Sequence, residues 1–298
     1  MKNQDKIFNQ LKKSLASEYG GLPIFSAVSV RLQLELIKDE PDLQLIEQLI
    51  IDDQSLSSNI LKLSNSSLYA GLVQIRTVKN AIIRLGMAEI MHVVCIDINN
   101  NLFSSPDKQI DDLMKKLWTH SVACAYGAAL LTTMLEDEDV KREEAFSAGL
   151  FHDIGKLLIL KVIETKKKFY KVLDMPEEDL LEAIAKLHAA HGHLLMERMK
   201  LPKIYPVIAR DHHVKRFDTD NTLLVIVRIA NLICHKLCMG IVEEPDIDVM
   251  ESDEVAALNL TKPVILRVQH FLRHNQTIKE LIEGPPADEE QTPISLEP

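Results

Sequence analysis

The 298-residue sequence contains little glycine, few aromatic residues and no glycine-rich phosphate loop. Glycine accounts for 10 residues and the aromatic residues for 5%, whereas Leu, Ile, Ala, Lys and Glu are abundant. This composition favours helices over a many-turned β-fold. Neither G-x-x-x-x-G-K-[ST] nor G-x-G-x-x-G occurs, which argues against a P-loop NTPase, a Rossmann dehydrogenase and a protein kinase.

An excess of positive charge is also absent. The chain has 34 Lys and Arg against 44 Asp and Glu, a formal charge of −10. A protein that binds phosphate backbones mainly through counterion release needs the opposite sign, so nucleic acid is not expected as the main partner. Because the N-terminal residues contain no continuous apolar segment, they do not resemble a signal peptide, and we expect the protein in the cytoplasm.

One stretch, residues 117–135, lacks acidic and basic side chains and is long enough to be considered as a membrane span. It contains His120, Ser121 and Thr132, among other polar residues, so the sequence predicts a buried core helix and no membrane span.

The 4 cysteines stand among apolar residues, which is typical of reduced core thiols. Cys234 and Cys238 share a helical face, but no second pair has the spacing of a structural zinc site.

Apolar residues recur at helical spacing through most of the chain, which predicts an all-α fold. The segment Val28–Leu36 also alternates with period two, as a half-buried strand would. Since Val28, Leu32 and Leu36 form an i, i+4 row among good helix formers, we predict a helix there. The segments 104–107 and, more weakly, 174–176 interrupt the pattern and predict a bend or boundary.

A helix-turn-helix is a further alternative for residues 55–86, where two apolar-periodic stretches flank Ala70 and Gly71. The helix that would contact DNA carries Arg76, Lys79 and Arg84 among apolar residues, without a basic face. This pattern does not favour DNA binding.

Histidine is unusually frequent, with 11 residues. The segment 149–156 (G-L-F-H-D-I-G-K) places His152, Asp153 and Lys156 within about one helical turn. His120 lies on the apolar stripe of its own predicted helix, and His188 shares a helical face with other buried positions. Both rings are therefore predicted to point inward.

Two interpretations of these histidines are open. They apply equally to the pair His212 and His213, which lies on a further predicted helix. Each ring could be a core residue that bonds a carbonyl or a carboxylate. Alternatively, the rings converge with Asp153 on a metal, and mixed nitrogen and oxygen donors suit iron, manganese or zinc. Such a site can support phosphoester hydrolysis, with Lys156 complementing a phosphate charge or pairing with Asp153.

Several segments together resemble the HD superfamily of metal-dependent phosphohydrolases, and more closely the HDOD group (HD-related output domain) of bacterial signalling proteins. The similarity extends from about residue 22 to about residue 281, and the order and spacing of the motifs carry it. The matching segments are 22–23 (L-P), 51–56 (I-D-D-Q-S-L), 63–66 (L-S-N-S), 81–86 (A-I-I-R-L-G), 118–121 (W-T-H-S), 144–156 (E-A-F-S-A-G-L-F-H-D-I-G-K), 188–192 (H-A-A-H-G), 201–202 (L-P) and 212–213 (H-H).

The resemblance implies an all-helical, two-lobed protein with a metal site in its second lobe. The implied divisions are an N-terminal helical extension (1–21), an N-terminal helical lobe (22–106), an HD-like helical lobe (107–283) and a disordered acidic, Pro-rich tail (284–298). The implied metal ligands are His120, His152 and Asp153, together with His188, His212 and His213, which match the extra ligands of multinuclear relatives such as the HD-GYP group.

Two departures from the catalytic HD pattern argue against efficient turnover. Asn231 stands where the last ligand of catalytic HD proteins is Asp, and an amide offers a carbonyl oxygen but no charge. The Gly-Tyr-Pro segment of the HD-GYP enzymes is absent after His213. We therefore expect a regulatory module with a degenerate metal pocket that binds a nucleotide or other phosphorylated ligand and signalling partner proteins.

The alternative is a metal-dependent phosphohydrolase that acts on a nucleotide or a cyclic dinucleotide, with Asp153 and Lys156 as catalytic residues. In either case the six implied ligands should meet around one pocket. His191, one turn from His188, is expected either to support a ligand from behind or to pack. The remaining histidines are expected to lie elsewhere: His92, His193, His235, His270 and His274.

Overall fold

The structure, a computed structural model, describes residues 11–15, 27–36, 38, 40–66, 69, 73–135, 140–170 and 176–283. The regular elements of these residues are helices without any strand, which confirms the all-α prediction. In chain order the α-helices that follow a helical segment at 11–15 are α1 (Ala27–Leu36), α2 (Leu43–Asp52), α3 (Gln54–Ser64), α4 (Val78–Leu102), α5 (Lys108–Thr132), α6 (Arg142–Phe151), α7 (Ile154–Tyr170), α8 (Glu177–Arg198), α9 (Ile204–Asp211), α10 (Thr222–Lys236), α11 (Asp253–Ala257), α12 (Lys262–His274) and α13 (Gln276–Glu283).

Helix α5 forms the centre of the second half of the chain. It packs against α6, α7, α10, α12 and α13. The predicted apolar stripe of this helix is buried, and it comprises Leu113, Leu117, His120, Cys124, Ala128 and Leu131. Within the described residues, no helix combines the length and the apolarity that a membrane span requires. The prediction of a buried core helix at this position is confirmed.

The predicted bend at residues 104–107 coincides with the turn between α4 and α5. Asp107 caps α5, because its carboxylate accepts a hydrogen bond from the backbone N–H of Ile110 at 3.1 Å. The Ser105 hydroxyl donates to Glu164 of α7 at 2.6 Å, so the turn is attached to the second half of the chain. Helices α1 to α4 pack against one another, and α13 contacts both α4 and α5.

The predicted helix at Val28–Leu36 is confirmed as part of α1. Cys95, Cys124 and Cys234 are buried free thiols, as expected, but Cys238 is exposed because it follows the end of α10. Of the predicted N-terminal extension only 11–15 is described, with Leu11 and Leu15 buried. Of the break at 174–176 only Pro176 is described, and the tail 284–298 lies outside the described residues.

Helices α7 and α8 approach each other closely at Gly155. A Cβ atom at this position would lie 1.9 Å from the carbonyl oxygen of His188 and 2.8 Å from the backbone nitrogen of Gly192. Only glycine fits such a contact between two backbones. The contact fixes the position of His188 relative to the turn that carries His152 and Asp153.

Candidate metal centre

The side chains of the centre come from four places in the helical core. His120 lies in α5, His152 and Asp153 form the turn between α6 and α7, and His188 lies in α8. His212 follows the last residue of α9. Each of these five residues is at most 3% exposed. His213, the next residue, is exposed and packs its ring on His212 with centroids 4.1 Å apart.

Backbone carbonyls hold each buried imidazole in one orientation. In every ring Nδ1 faces a carbonyl oxygen, so the proton is on Nδ1 and the lone pair is on Nε2. The acceptor carbonyls are Met239 for His120 (3.0 Å), Gly149 for His152 (2.7 Å), Ile184 for His188 (2.8 Å) and Ala209 for His212 (2.9 Å). A Cβ atom at Gly240 would lie 2.9 Å from Cβ of His120, so glycine permits the backbone after Met239 to approach this ring.

The Nε2 atoms form two pairs on either side of Asp153. Those of His120 and His152 are 3.2 Å apart and lie 3.4 and 3.3 Å from Oδ2. Those of His188 and His212 are 3.3 Å apart and lie 3.5 and 3.3 Å from Oδ1. One carboxylate therefore faces two groups of nitrogen ligands, and His213 joins the second group.

This arrangement fits a bound transition metal. With the protons on Nδ1, the paired Nε2 atoms present lone pairs to each other and cannot form hydrogen bonds between themselves. Both oxygens of Asp153 are buried, and Oδ2 contacts the Lys156 ammonium. One ammonium cannot satisfy so many acceptors, so a further cation among them is favourable, and mixed imidazole and carboxylate donors suit iron, manganese or zinc.

Lys156 supplies one positive charge at the edge of the cluster. Its Nζ lies 2.6 Å from Oδ2 of Asp153, and its side chain is 6% exposed. Burial alone would raise the pKa of Asp153, but the charge of Lys156 and the neighbouring His152 hold this pKa well below its usual range. The expected pairing of Lys156 with Asp153 is confirmed.

Burial favours the neutral form of three of these imidazoles, those of His120, His188 and His212. Burial lowers the pKa of His120 well below its usual value and that of His188 to about 4. The pKa of His212 is lowered by the same cause. Because the neutral imidazole is the form that binds metals, the environment keeps these rings ready for a metal without a proton to displace.

A cavity of about 670 Å³ opens beside the cluster. His188, His212, His213 and Lys156 line this cavity and are called its floor below, and Asn231 of α10 also lines it. Asn231 is 4% exposed, and its Oδ1 has no hydrogen-bond partner.

The prediction that His235 lies away from the cluster is wrong. Its ring stacks on that of His120, with centroids 5.6 Å apart, and it lines the same cavity as Asn231. The two residues are four positions apart in α10 and so share one helical face. That spacing is the sequence signal that could have placed His235 beside Asn231.

Other histidines lie outside the two ligand groups. Nδ1 of His193 bonds the carbonyl of Pro206 at 2.9 Å, and His270 stacks on His274 on the exposed face of α12. His191 is half-buried, and burial and the charge of Lys12 lower its pKa. The side chain of His92 lies outside the described part of the chain.

Sequence reasoning also missed Arg228, which lines the cavity from α10. Its Nη2 bonds Glu254 at 2.6 Å, and its Nη1 donates to the carbonyl of Asp211 at 2.9 Å. The guanidinium stacks on Phe217, 4.1 Å from the ring centroid. These contacts fix the backbone directly before His212.

Comparison with known families and structures agrees with this architecture. The HDOD domain family matches residues 22–214. An HDOD domain protein of unknown function from Geobacter sulfurreducens has 18% identity and a TM-score of 0.64, with 92% of this chain and 97% of that chain covered. No curated protein is significantly similar to the chain.

Two further solved structures have the same fold. A candidate metal-dependent phosphohydrolase from Shewanella amazonensis is 19% identical, with a TM-score of 0.63 and coverage of 95% of this chain and 100% of that chain. A candidate signal transduction protein from Marinobacter aquaeolei is 15% identical, with a TM-score of 0.60 and coverage of 94% and 66%. At these identities the likeness concerns the fold alone.

Proposed function

Because this chain belongs to the HDOD domain family, we propose that it is a bacterial, cytoplasmic signalling module whose cavity binds a divalent transition metal and a phosphorylated ligand. The observation that carries this proposal is the environment of Asp153. Both of its oxygens are buried and face imidazole lone pairs from two sides, and the Lys156 ammonium contacts Oδ2 alone. Iron, manganese or zinc would bind to His120, His152 and Asp153 and to the second histidine group.

The floor of the cavity is suited to a phosphate. Lys156 lines it together with His188, His212 and His213. A metal on these histidines and the Lys156 ammonium would both attract phosphate oxygens, and the volume of about 670 Å³ is that of a small-molecule site. A nucleotide is a ligand of the right size and charge.

Two features favour binding over turnover. Asn231 places a neutral amide on the cavity wall, where catalytic relatives of this family have a carboxylate. Lys156 already compensates the charge of Asp153 at 2.6 Å, so this carboxylate is less available to a reaction. We therefore propose that ligand binding changes how the helical surface contacts a partner signalling protein.

The alternative function is a metal-dependent phosphohydrolase acting on a nucleotide or a cyclic dinucleotide. Its support is the carboxylate of Asp153 between two groups of nitrogen ligands. A metal held there would supply Lewis-acid chemistry and an acidic bound water. In that function Asp153 would hold the metal, and Lys156 would orient a phosphate from the cavity floor.

A turnover assay separates the two functions. The full chain is loaded with Mn²⁺, Fe²⁺ or Zn²⁺ and incubated with bis(p-nitrophenyl) phosphate and with cyclic dinucleotides. The signalling module predicts a rate equal to that of His152→Ala, together with measurable binding of nucleoside monophosphates. A rate well above background that His152→Ala and Asp153→Ala both abolish would establish the hydrolase instead.

A further inference from the structure

Helix α10 contributes to the cavity lining two residues that carry unpaired polar atoms. Asn231 and His235 line the same wall and are 4% and 7% exposed. Asn231 Oδ1 and His235 Nε2 are buried and have no hydrogen-bond partner. Because native proteins pair almost all buried polar groups, two adjacent orphans on one cavity wall indicate a place for a ligand.

Both atoms are hydrogen-bond acceptors. The opposite ring nitrogen of His235, Nδ1, faces the Glu244 carboxylate at 3.8 Å. A carboxylate favours the proton on the nitrogen that faces it, which leaves the Nε2 lone pair free to accept a hydrogen bond. The oxygen of Asn231 is an acceptor by its chemistry, so the wall recognises N–H or O–H donors.

The lining of the cavity carries charges of both signs. Lys156 and the histidine cluster attract anions, Glu182 and Glu244 contribute carboxylates, and Arg228 is paired with Glu254. The lining also contains apolar residues: Leu181, Ile184, Leu232, Ile241 and Val242. A ligand with one anionic end and a flat, partly apolar, donor-bearing body complements this lining, whereas additional phosphates would approach the carboxylates.

We infer that Asn231 and His235 form a recognition subsite for the amino group of a phosphorylated ligand, namely the nucleobase of an amino-bearing nucleoside monophosphate. This inference rests on the proposed function, which places the phosphate on the cavity floor. It also gives Asn231 a role of its own as a hydrogen-bond acceptor for the ligand, separate from that of a weakened metal ligand.

Paired nucleotides that differ only in an amino group test the subsite. AMP is compared with purine riboside 5′-monophosphate, and GMP with IMP, by calorimetric titration of the metal-loaded full chain. A site with buried acceptors discriminates against a ligand that leaves them unpaired, so the amino-bearing nucleotide of at least one pair should bind about tenfold more tightly. His235→Phe, which keeps a ring next to His120, and Asn231→Leu should each remove most of this preference.

His270→Phe is the matched control, because it makes the same change on an exposed helix face away from the cavity. It should leave the preference unchanged, and circular dichroism verifies that each variant is folded. Equal affinity of the wild type for both members of both pairs would overturn the subsite and leave the phosphate-binding proposal intact. A preference that survives in both cavity variants would also overturn it.

Two other results would contradict the inference in different ways. If the wild type binds none of the nucleotides at millimolar concentration, the proposed function fails and the subsite fails with it. If Asn231→Asp binds clearly more metal than the wild type, this position belongs to the metal centre, and the assignment of Asn231 to ligand recognition is wrong.

Discussion

Lys156 and Asp153 are a buried charge pair at the centre of the proposed site. The Lys156 ammonium lies 2.6 Å from Oδ2, so it is the charge that compensates the carboxylate when no metal is bound. Removing one partner of a buried pair leaves the other charge uncompensated, which is far more costly than the loss of a surface pair. The stability of the metal-free protein should therefore depend on this lysine.

Lys156→Met should lower the free energy of unfolding of the metal-free protein by about 3 kcal/mol. Added Mn²⁺ or Zn²⁺ should restore more stability to this variant than to the wild type, because the metal replaces the lost charge. Lys115→Met is the control, since Lys115 pairs with Asp111 and its side chain is 69% exposed. Thermal unfolding with and without metal measures both effects, and equal small losses in the two variants would contradict this account.

At the scale of the helices, the contact between α7 and α8 places His188 opposite Asp153. Gly155 has no room for a side chain because the His188 carbonyl lies where a Cβ atom would be. Gly127 in α5 differs, since a Cβ atom there would have its nearest neighbours at 3.5 Å, an ordinary contact. The two glycines thus form a matched pair for testing the close approach.

Gly155→Ala should destabilise the protein by about 3 kcal/mol, because the two helix backbones must separate. Gly127→Ala should cost almost nothing or stabilise by up to about 1 kcal/mol, since alanine is the better helix former. Urea unfolding gives both values. Similar values for the two variants would show that the α7–α8 contact is not as close as described.

The cap of α5 is a second prediction at this scale. Asp107 accepts from the Ile110 backbone N–H and pairs with Lys167 of α7 at 3.0 Å. Burial alone would raise the pKa of Asp107, but the hydrogen bond from Lys167 outweighs this effect and lowers the pKa. The stabilisation that the Asp107 carboxylate gives the folded protein is thus present above pH 3.8, the ordinary pKa of an aspartate side chain. It is lost as the pH falls further.

Asp107→Ala should lower the free energy of unfolding at pH 7 by about 1 kcal/mol, whereas Asp107→Asn, which can still cap the helix, should cost less. The difference between wild type and Asp107→Ala should shrink when unfolding is measured near pH 3. A difference that is independent of pH would contradict the role of the carboxylate charge.

The helices and the burial of the candidate ligands could be predicted from the sequence because both depend on local patterns. Helical periodicity placed His120 on the buried face of α5, and the family resemblance brought in His152, Asp153 and His188. His235 was misplaced because its spacing from Asn231 shows only that the two residues share a face of α10. That this face meets His120 of α5 is a contact between two distant helices, which no local spacing encodes. The contact of Arg228 with Glu254 likewise joins distant parts of the chain, so no local pattern predicts it.

At the scale of the whole molecule, the net charge of −10 opposes binding to nucleic acid. A fluorescence titration with double-stranded DNA at 0.15 M salt should show no saturable binding below about 100 μM, the weak end of non-specific affinity. Tight binding that weakens steeply with salt would show instead that the protein acts on DNA, and it would favour the helix-turn-helix interpretation of residues 55–86.

The proposal as a whole depends on a metal within the helical core. The most direct test is elemental analysis of the untagged full chain after loading with Mn²⁺, Fe²⁺ or Zn²⁺ and removal of the unbound ions, next to Asp153→Ala and the surface control His270→Ala. We predict at least one equivalent of transition metal per chain in the wild type and in His270→Ala, and a large loss in Asp153→Ala. A wild-type protein that retains no metal, or an Asp153→Ala variant that retains as much as the wild type, would contradict the account.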